Sequence, residues 1–253
     1  MKKIVGVLAA SALSIGMLSA CNKSDDKTLI LGTSADYKPY EFIDTKSDKI
    51  VGFDVDLANA LGKKTGYKIK VKDIDFTSLI TAMNADKVDF IMAGMKKTPE
   101  RAKNADFTKP YFTDQNEVVV KKGSNIKSIA DLKGKTIGVQ AGSIQETKAI
   151  EVSKKVGFKV ENRNRIPEMV EELKAGRFDA VIIEQTVASG YLNKLTDMEG
   201  LLINDFYEKG ESGSAVALPK GSKLTPKFDK ALAELKEDGT IDKLVKKWFG
   251  ELK

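Results

Sequence analysis

Histidine is absent from the 253-residue chain, and cysteine occurs once, as Cys21. Without histidine the commonest general base and the commonest transition-metal ligand are both unavailable. A lone cysteine excludes any intramolecular disulfide. Arginine is scarce: of 42 basic residues only Arg101, Arg163, Arg165 and Arg177 are arginine, so each is a candidate for work that lysine cannot do. No apolar run reaches the roughly 18 residues that a membrane-spanning helix needs. Charge of neither sign dominates, since 36 acidic residues intersperse with the basic ones and leave a formal net charge of +6. A nucleic-acid binder would gather its basic residues into a patch or arm, and no such concentration is visible. Neither a GxSxG elbow nor a phosphate-cradling glycine-rich loop ending in Gly-Lys-Ser/Thr is present.

What is there begins with a leader. Lys2 and Lys3 precede a short apolar run, Ile4 to Met17, and Leu18-Ser-Ala-Cys21 follows with small residues before the cysteine. This pattern reads as an exported, processed signal over residues 1–20. It resembles a bacterial lipobox, in which the Cys21 thiol is acylated and the cysteine becomes the first mature residue. Residues 21–27 are then a polar tether, and the remaining body is held at a membrane surface, facing outward on the extracellular or periplasmic side. Processing would leave 233 residues (253 less 20) with net charge +4, since two lysines leave with the leader.

The body alternates short β-rich runs with amphipathic helical ones. Strands are expected over 28–33, 67–71, 88–93, 135–140, 158–161, 178–183 and 215–218. Helices are expected over 53–64, 76–85, 143–156, 167–175, 226–237 and 241–249. That rhythm predicts α/β units around mostly parallel sheets. The series breaks near 111–117 and again near 207–214. Two lobes are therefore expected, one of residues 28–112 with 214–253 and one of 113–213, joined by two crossing segments. Ligands of such folds bind at the carboxyl ends of strands, here in the crevice between lobes.

Three strand-end segments carry the chemistry. In Ala93-Gly94-Met95-Lys96-Lys97-Thr98-Pro99-Glu100-Arg101, Thr98 suits an N-cap and Pro99 a first helical position. Arg101 is then poorly placed for helix stability, because a cation opposes the dipole at a helix start. Its fork suits a carboxylate, although an ordinary solvated or ion-paired arginine reads equally from this segment. Gln140-Ala141-Gly142-Ser143-Ile144-Gln145-Glu146 holds a capping-box pattern, Ser143 to Glu146, at a helix start that attracts anions; a routine strand–helix turn is the alternative. Glu184, at the end of an apolar strand, could receive an ammonium or could be the next helix's N-terminal acid. Together the three segments complement a free α-amino acid.

A resemblance then emerges from several ordered motifs. They are Ser34-Ala-Asp-Tyr-Lys-Pro-Tyr-Glu-Phe42, Gly52-Phe-Asp-Val-Asp-Leu-Ala58, Ala93-Gly94 with Thr98-Pro-Glu-Arg101, Asp106-Phe-Thr-Lys-Pro-Tyr-Phe112, Asp131-Leu-Lys-Gly-Lys-Thr136 and Lys247-Trp-Phe-Gly250. On these the chain resembles the polar-amino-acid branch of bacterial extracellular solute-binding proteins, family 3, which feed ABC importers. The resemblance implies a two-lobed periplasmic-binding-protein-like fold with a two-segment hinge. It implies that Tyr37 and Phe76 sandwich the ligand side chain, that Ala93 and Gly94 offer backbone groups, and that Arg101 clamps the α-carboxylate. Gln140, Ser143 and the Ile144 amide would line the second lobe, and Glu184 would take the α-ammonium where the family usually has aspartate. Lys96, counted among the site residues, stands where the family commonly has a hydroxyl residue on the ligand; either its side chain enters the cleft, or it lies outside and the backbone serves instead. Ser34 replaces an acid often found at its position. Gly142-Ser-Ile-Gln-Glu146 and Arg165-Ile-Pro-Glu168 are nevertheless similar to arginine binders, and Asp36 and Glu41 lie nearby. Arginine or lysine is therefore favoured over a glutamine-like ligand.

The expected partners are a free amino acid, the transmembrane subunits of an ABC permease, and a membrane reached through the lipid on Cys21. No nucleic acid, cofactor or metal is expected, and the body is expected to be monomeric and not an enzyme. Two rival classes remain: an adhesin or sensory module that keeps the cleft, and a secreted small-molecule lyase. The lyase, lacking histidine, would rest on Glu184, Glu41 or a lysine. A ligand recovered chemically unchanged separates binder from lyase, and loss of uptake on gene disruption separates transport from adhesion.

Overall fold

The computed structural model describes residues 27–206 and 213–250. The expected leader, Cys21, nearly all of the tether and most of the second crossing segment (207–212) lie outside the described residues. The chain opens with β1 (Thr28–Thr33), then β2 (Asp36–Tyr37), β3 (Glu41–Asp44) and β4 (Lys49–Val51), which form a small antiparallel sheet. Next come α1 (Phe53–Thr65), β5 (Lys68–Asp73), α2 (Leu79–Asn84), β6 (Phe90–Ile91) and β7 (Asp106–Phe107). The chain then builds β8 (Asn116–Lys121), β9 (Thr136–Gln140), α3 (Ile144–Val156), β10 (Lys159–Arg163), α4 (Ile166–Lys174), β11 (Ala180–Glu184), α5 (Gln185–Leu192) and β12 (Met198–Leu201). It ends with β13 (Ala217–Leu218), α6 (Leu224–Glu237) and α7 (Thr240–Phe249).

Two five-stranded sheets result, ordered β5-β1-β6-β13-β7 and β10-β9-β11-β8-β12. β1 pairs in parallel with β5 and β6, and β9 with β10 and β11, whereas β13 and β8 run antiparallel to their neighbours. β13 returns the chain to the first sheet, so the first lobe is built from both ends of the described chain. In each sheet successive side chains go to opposite faces, as strand geometry requires. Phe90 and Met92 enter one hydrophobic cluster with Leu57, Leu61 and Phe228, while Ile91 and Ala93 enter another with Leu79 and Met83. Likewise Val118 and Val120 face α3, and Val119 faces the opposite cluster with Met169. Both sheets are therefore covered on two faces, and α/β layering is the architecture.

Several elements depart from expectation. The helix expected from Phe76 is a 3₁₀ turn, Phe76–Ser78, before the short α2. Past Thr98 there is only a 3₁₀ turn, Arg101–Lys103, because the chain must reach β7 three residues later. Thr98 still caps it, with Oγ1 accepting from the Arg101 amide at 3.1 Å.

The two lobes meet at paired crossings. The Tyr111 amide donates to the Ser214 carbonyl at 2.8 Å, and the Ser214 amide returns to Phe112 at the same distance. Ser214 also bridges to Lys96 on its other side.

Candidate functional site

Carboxyl ends of strands from both sheets converge between the lobes. β6 runs into Ala93, Gly94 and Lys96; β9 ends at Gln140 and turns through Ser143 into α3; β11 ends on Glu184. With Tyr37, Phe76, Arg101 and Ile144 these residues line one crevice, whose empty volume is about 280 Å3 up to its mouth. All ten residues singled out from the sequence thus come together. Gln145 joins them and was not foreseen, although it sits inside the Gln140–Glu146 segment that was.

Arg101 projects its guanidinium across the gap. Nη1 donates to the Lys96 carbonyl at 2.7 Å and Nη2 to the Gly142 carbonyl at 2.9 Å, so one arginine touches both lobes. Its plane lies 5.1 Å from the Phe76 ring centroid, a cation–π distance. Burial pulls its pKa down to about 10. Arg163, Arg165 and Arg177 each pair with carboxylates. No ion pair to Arg101 occurs among the described residues.

Glu184 is buried, and burial pushes its pKa up while Lys96 opposes the shift. Its Oε1 meets Lys96 Nζ at 3.0 Å, and its Oε2 is buried without a hydrogen-bond partner among the described residues. Here the structure selects one of the two alternatives open for Lys96. The Lys96 side chain lies inside the cleft, 2 % exposed, donating also to the Asp114 carbonyl at 3.1 Å. The pairing of Lys96 with Ser214 beside the crossing turns the side chain inward, where a buried ammonium needs a counter-ion.

The other walls are mixed in what they leave available. The Tyr37 ring stacks on Tyr40, with centroids 5.4 Å apart. Gly94 has φ +57°, and a Cβ there would lie 2.9 Å from the Tyr37 ring, so glycine allows this approach. The Gly94 amide donates to Asp54 Oδ2 at 2.9 Å, which leaves its carbonyl as the backbone group it can offer. The Gln140 amide group donates to the Asn164 carbonyl at 3.1 Å. Ser143 Oγ accepts from the Glu146 amide at 3.0 Å, the expected cap. The reciprocal arm differs: Glu146 accepts from Gly142, at 2.7 Å, one residue earlier than a capping box requires. Ile144 and Gln145, which open α3, line the crevice, and the first amides of a helix have no acceptors in the preceding turn.

Beneath Tyr37 lies an acid pair, Glu41 and Asp54, both fully buried. Asp54 Oδ2 also accepts from the Tyr111 hydroxyl at 2.8 Å, while Asp54 Oδ1 and both Glu41 oxygens meet no donor from any other described side chain or amide, and the two carboxyls interact with each other. Burial raises the Asp54 pKa to about 7 and raises Glu41 well above the carboxylate range. Asp54 was not anticipated; its signal was the Gly52-Phe-Asp-Val-Asp motif.

A second interlobe contact lies outside the crevice. Arg165 reaches Asp73 at 2.9 Å, Asp75 at 2.6 Å and Asp36 at 3.6 Å. Asp36 further accepts from the Ile166 amide at 2.7 Å and the Ser34 hydroxyl at 2.7 Å. Asp36, which the sequence suggested for a cationic side chain, is thus committed to this clasp. Among the described residues no group of three or more His, Cys, Asp or Glu could hold a metal, and no helix is long and apolar enough to cross a membrane.

Comparisons with known proteins place the chain in a family. Residues 29–251 match the family model described as bacterial extracellular solute-binding proteins, family 3. The arginine-binding extracellular protein ArtP of Bacillus subtilis is 51 % identical over 255 residues, covering 98 % of each chain. The lysine/arginine/ornithine-binding periplasmic protein of Escherichia coli is 34 % identical, covering 98 % of this chain and 97 % of its own. Among solved structures, an ancestral arginine-binding protein bound to arginine superposes with TM-score 0.82 at 42 % identity, covering 88 % of this chain and 98 % of its own. The same protein has also been solved bound to glutamine.

Proposed function

Because the chain belongs to the bacterial extracellular solute-binding proteins, family 3, we propose that it captures a free polar L-amino acid and hands it to the permease of an ABC importer. The ligand favoured is arginine or lysine, ahead of glutamine. Arg101 is the carboxylate clamp, Glu184 Oε2 the seat of the α-ammonium, and Tyr37 and Phe76 the walls that orient the side chain. The α3 amides add donors at the carboxylate end. The protein is held outward at the membrane by acylated Cys21, acts as a monomer, and performs no chemistry on its ligand.

One observation carries the reading: a half-buried guanidinium without a carboxylate and a buried carboxylate oxygen without a donor line the same crevice. A carboxylate neutralises the guanidinium and an ammonium supplies the donor that the carboxylate oxygen lacks, so a zwitterion satisfies both ends at once. The preference for a cationic side chain draws on the acids below Tyr37 and on what the relatives named above bind.

A thermal-shift screen against the twenty L-amino acids tests it. A ligand at 100 times its Kd stabilises the folded state by about 2.7 kcal/mol, a shift of several degrees for a chain of this size. Arginine or lysine should give the largest shift. No shift from any amino acid would defeat the reading.

A further inference from the structure

We infer that Lys96 is a built-in stand-in for the ligand's α-ammonium, so the crevice accepts carboxylates that lack the α-amino group. The inference rests on the crevice being an α-amino-acid site, and it concerns which of that ligand's two charges is indispensable. The two ends of the crevice differ. At the Arg101 end the guanidinium meets only two backbone carbonyls, Lys96 and Gly142. Those dipoles orient the fork and do not neutralise it. At the other end Glu184 has its counter-ion, because Lys96 Nζ lies 3.0 Å from Oε1 with both side chains 2 % exposed.

The charge balance follows. Lys96 and Glu184 cancel, and Arg101 leaves the crevice lining with one uncompensated positive charge. A carboxylate removes that charge whether or not an ammonium accompanies it. A ligand ammonium still gains by donating to Glu184 Oε2, which has no partner. That gain is one hydrogen bond to an acid already paired. It is not the rescue of an isolated buried charge. An amine lacking the carboxylate would bring a third cation beside Lys96 and Arg101 with no new anion, so it should be rejected.

Lys96 can play this part because of where it stands. It belongs to the first lobe and Glu184 to the second, yet its backbone is paired with Ser214 at the crossing. The Asp114 carbonyl, 3.1 Å from Nζ, gives the ammonium a further acceptor. A hydroxyl at this position would leave Glu184 unpaired until a ligand ammonium arrived.

The test measures affinities of three probes by calorimetry on the whole mature chain: L-arginine, 5-guanidinopentanoate (its des-amino analogue) and agmatine (its decarboxylated analogue). In wild type, 5-guanidinopentanoate should bind within about tenfold of arginine, the worth of one hydrogen bond. Agmatine should bind at least about a hundred-fold more weakly, the scale for a charge left without its partner. Lys96→Met should make the ammonium matter, raising the arginine-to-analogue affinity ratio by more than about tenfold. A smaller rise overturns the role of Lys96, as does agmatine binding wild type better than 5-guanidinopentanoate. If Lys96→Met does not fold, Lys96→Gln supplies the same ratio, and the wild-type series stands alone. Should arginine itself not bind, L-glutamine and 4-carbamoylbutanoate replace the first two probes. Failure of every amino acid rejects the receptor reading instead, so the two failures are distinguishable.

Discussion

Among the described residues two ion-paired contacts join the lobes, and they differ in wetness. Inside the crevice Lys96 and Glu184 are each 2 % exposed. At the clasp, the Arg165 side chain is 24 % exposed, with Asp73 at 34 % and Asp75 at 44 %. Partial exposure screens the clasp, so its worth is set by solvent and salt. The inner pair has no such relief, and every charge added to it must be matched. The same kind of contact therefore serves two ends. On the proposed reading the clasp would bias how the lobes sit together, and the inner pair would dictate what fits between them.

The sharpest way to break this comparison is Arg101→Ala. Removing the clamp leaves a ligand carboxylate buried without its charged partner, a loss of about 2–5 kcal/mol, or from about thirtyfold to several thousand-fold in affinity. Calorimetry giving a Kd within about threefold of wild type would move the ligand site away from the dry contact.

A middle-sized effect is expected from Glu41→Gln. Burial raises the pKa of both Glu41 and Asp54, so the folded chain holds protons that the unfolded chain releases. Their contribution to stability is full below the ordinary carboxylate range and lost as pH rises through about 7 for Asp54 and beyond for Glu41. A glutamine can donate to Asp54 Oδ1 at any pH. The Tm advantage of Glu41→Gln over wild type should therefore grow by several degrees between about pH 5 and about pH 8. A difference that is flat with pH would show that the pair stays ionised despite its burial.

The smallest effect belongs to Arg165→Gln. Loss of a partly exposed network is worth up to about 1 kcal/mol, or about fivefold in Kd at low salt. The difference should vanish at about 1 M salt, where the screening length falls to about 3 Å. Solution scattering should show a larger mean radius of gyration for the variant. A loss as large as that of Arg101→Ala, persisting in high salt, would erase the distinction between the two contacts.

Much of this was legible in the sequence for a physical reason. The strands that build the sheets carry continuous apolar runs, such as Ala180 to Ile183, and the helices between them keep their own period. Residues placed just past such runs, Ala93, Gln140 and Glu184, land at sheet ends whatever the details of packing. The small sheet of β2, β3 and β4 was not legible, since strands of two to four residues show no period. Nor was β8, whose valines sit between charged residues. The direction of Lys96 was hidden for a different cause. It depends on a pairing with Ser214, 118 positions away, which no local pattern encodes.

That pairing has a mechanical consequence. Ser214 is hydrogen-bonded to Phe112 and bridged to Lys96, so the described residues of the two connections are laced as a ribbon where they enter the first lobe. A ribbon flexes across its flat face and resists sliding along its length. The relative motion of the halves is thereby reduced to a swing about one axis, with a single relaxation rate to be looked for. Because the Lys96 backbone is stitched to the same ribbon, the reach of its amine is geared to the angle of that swing.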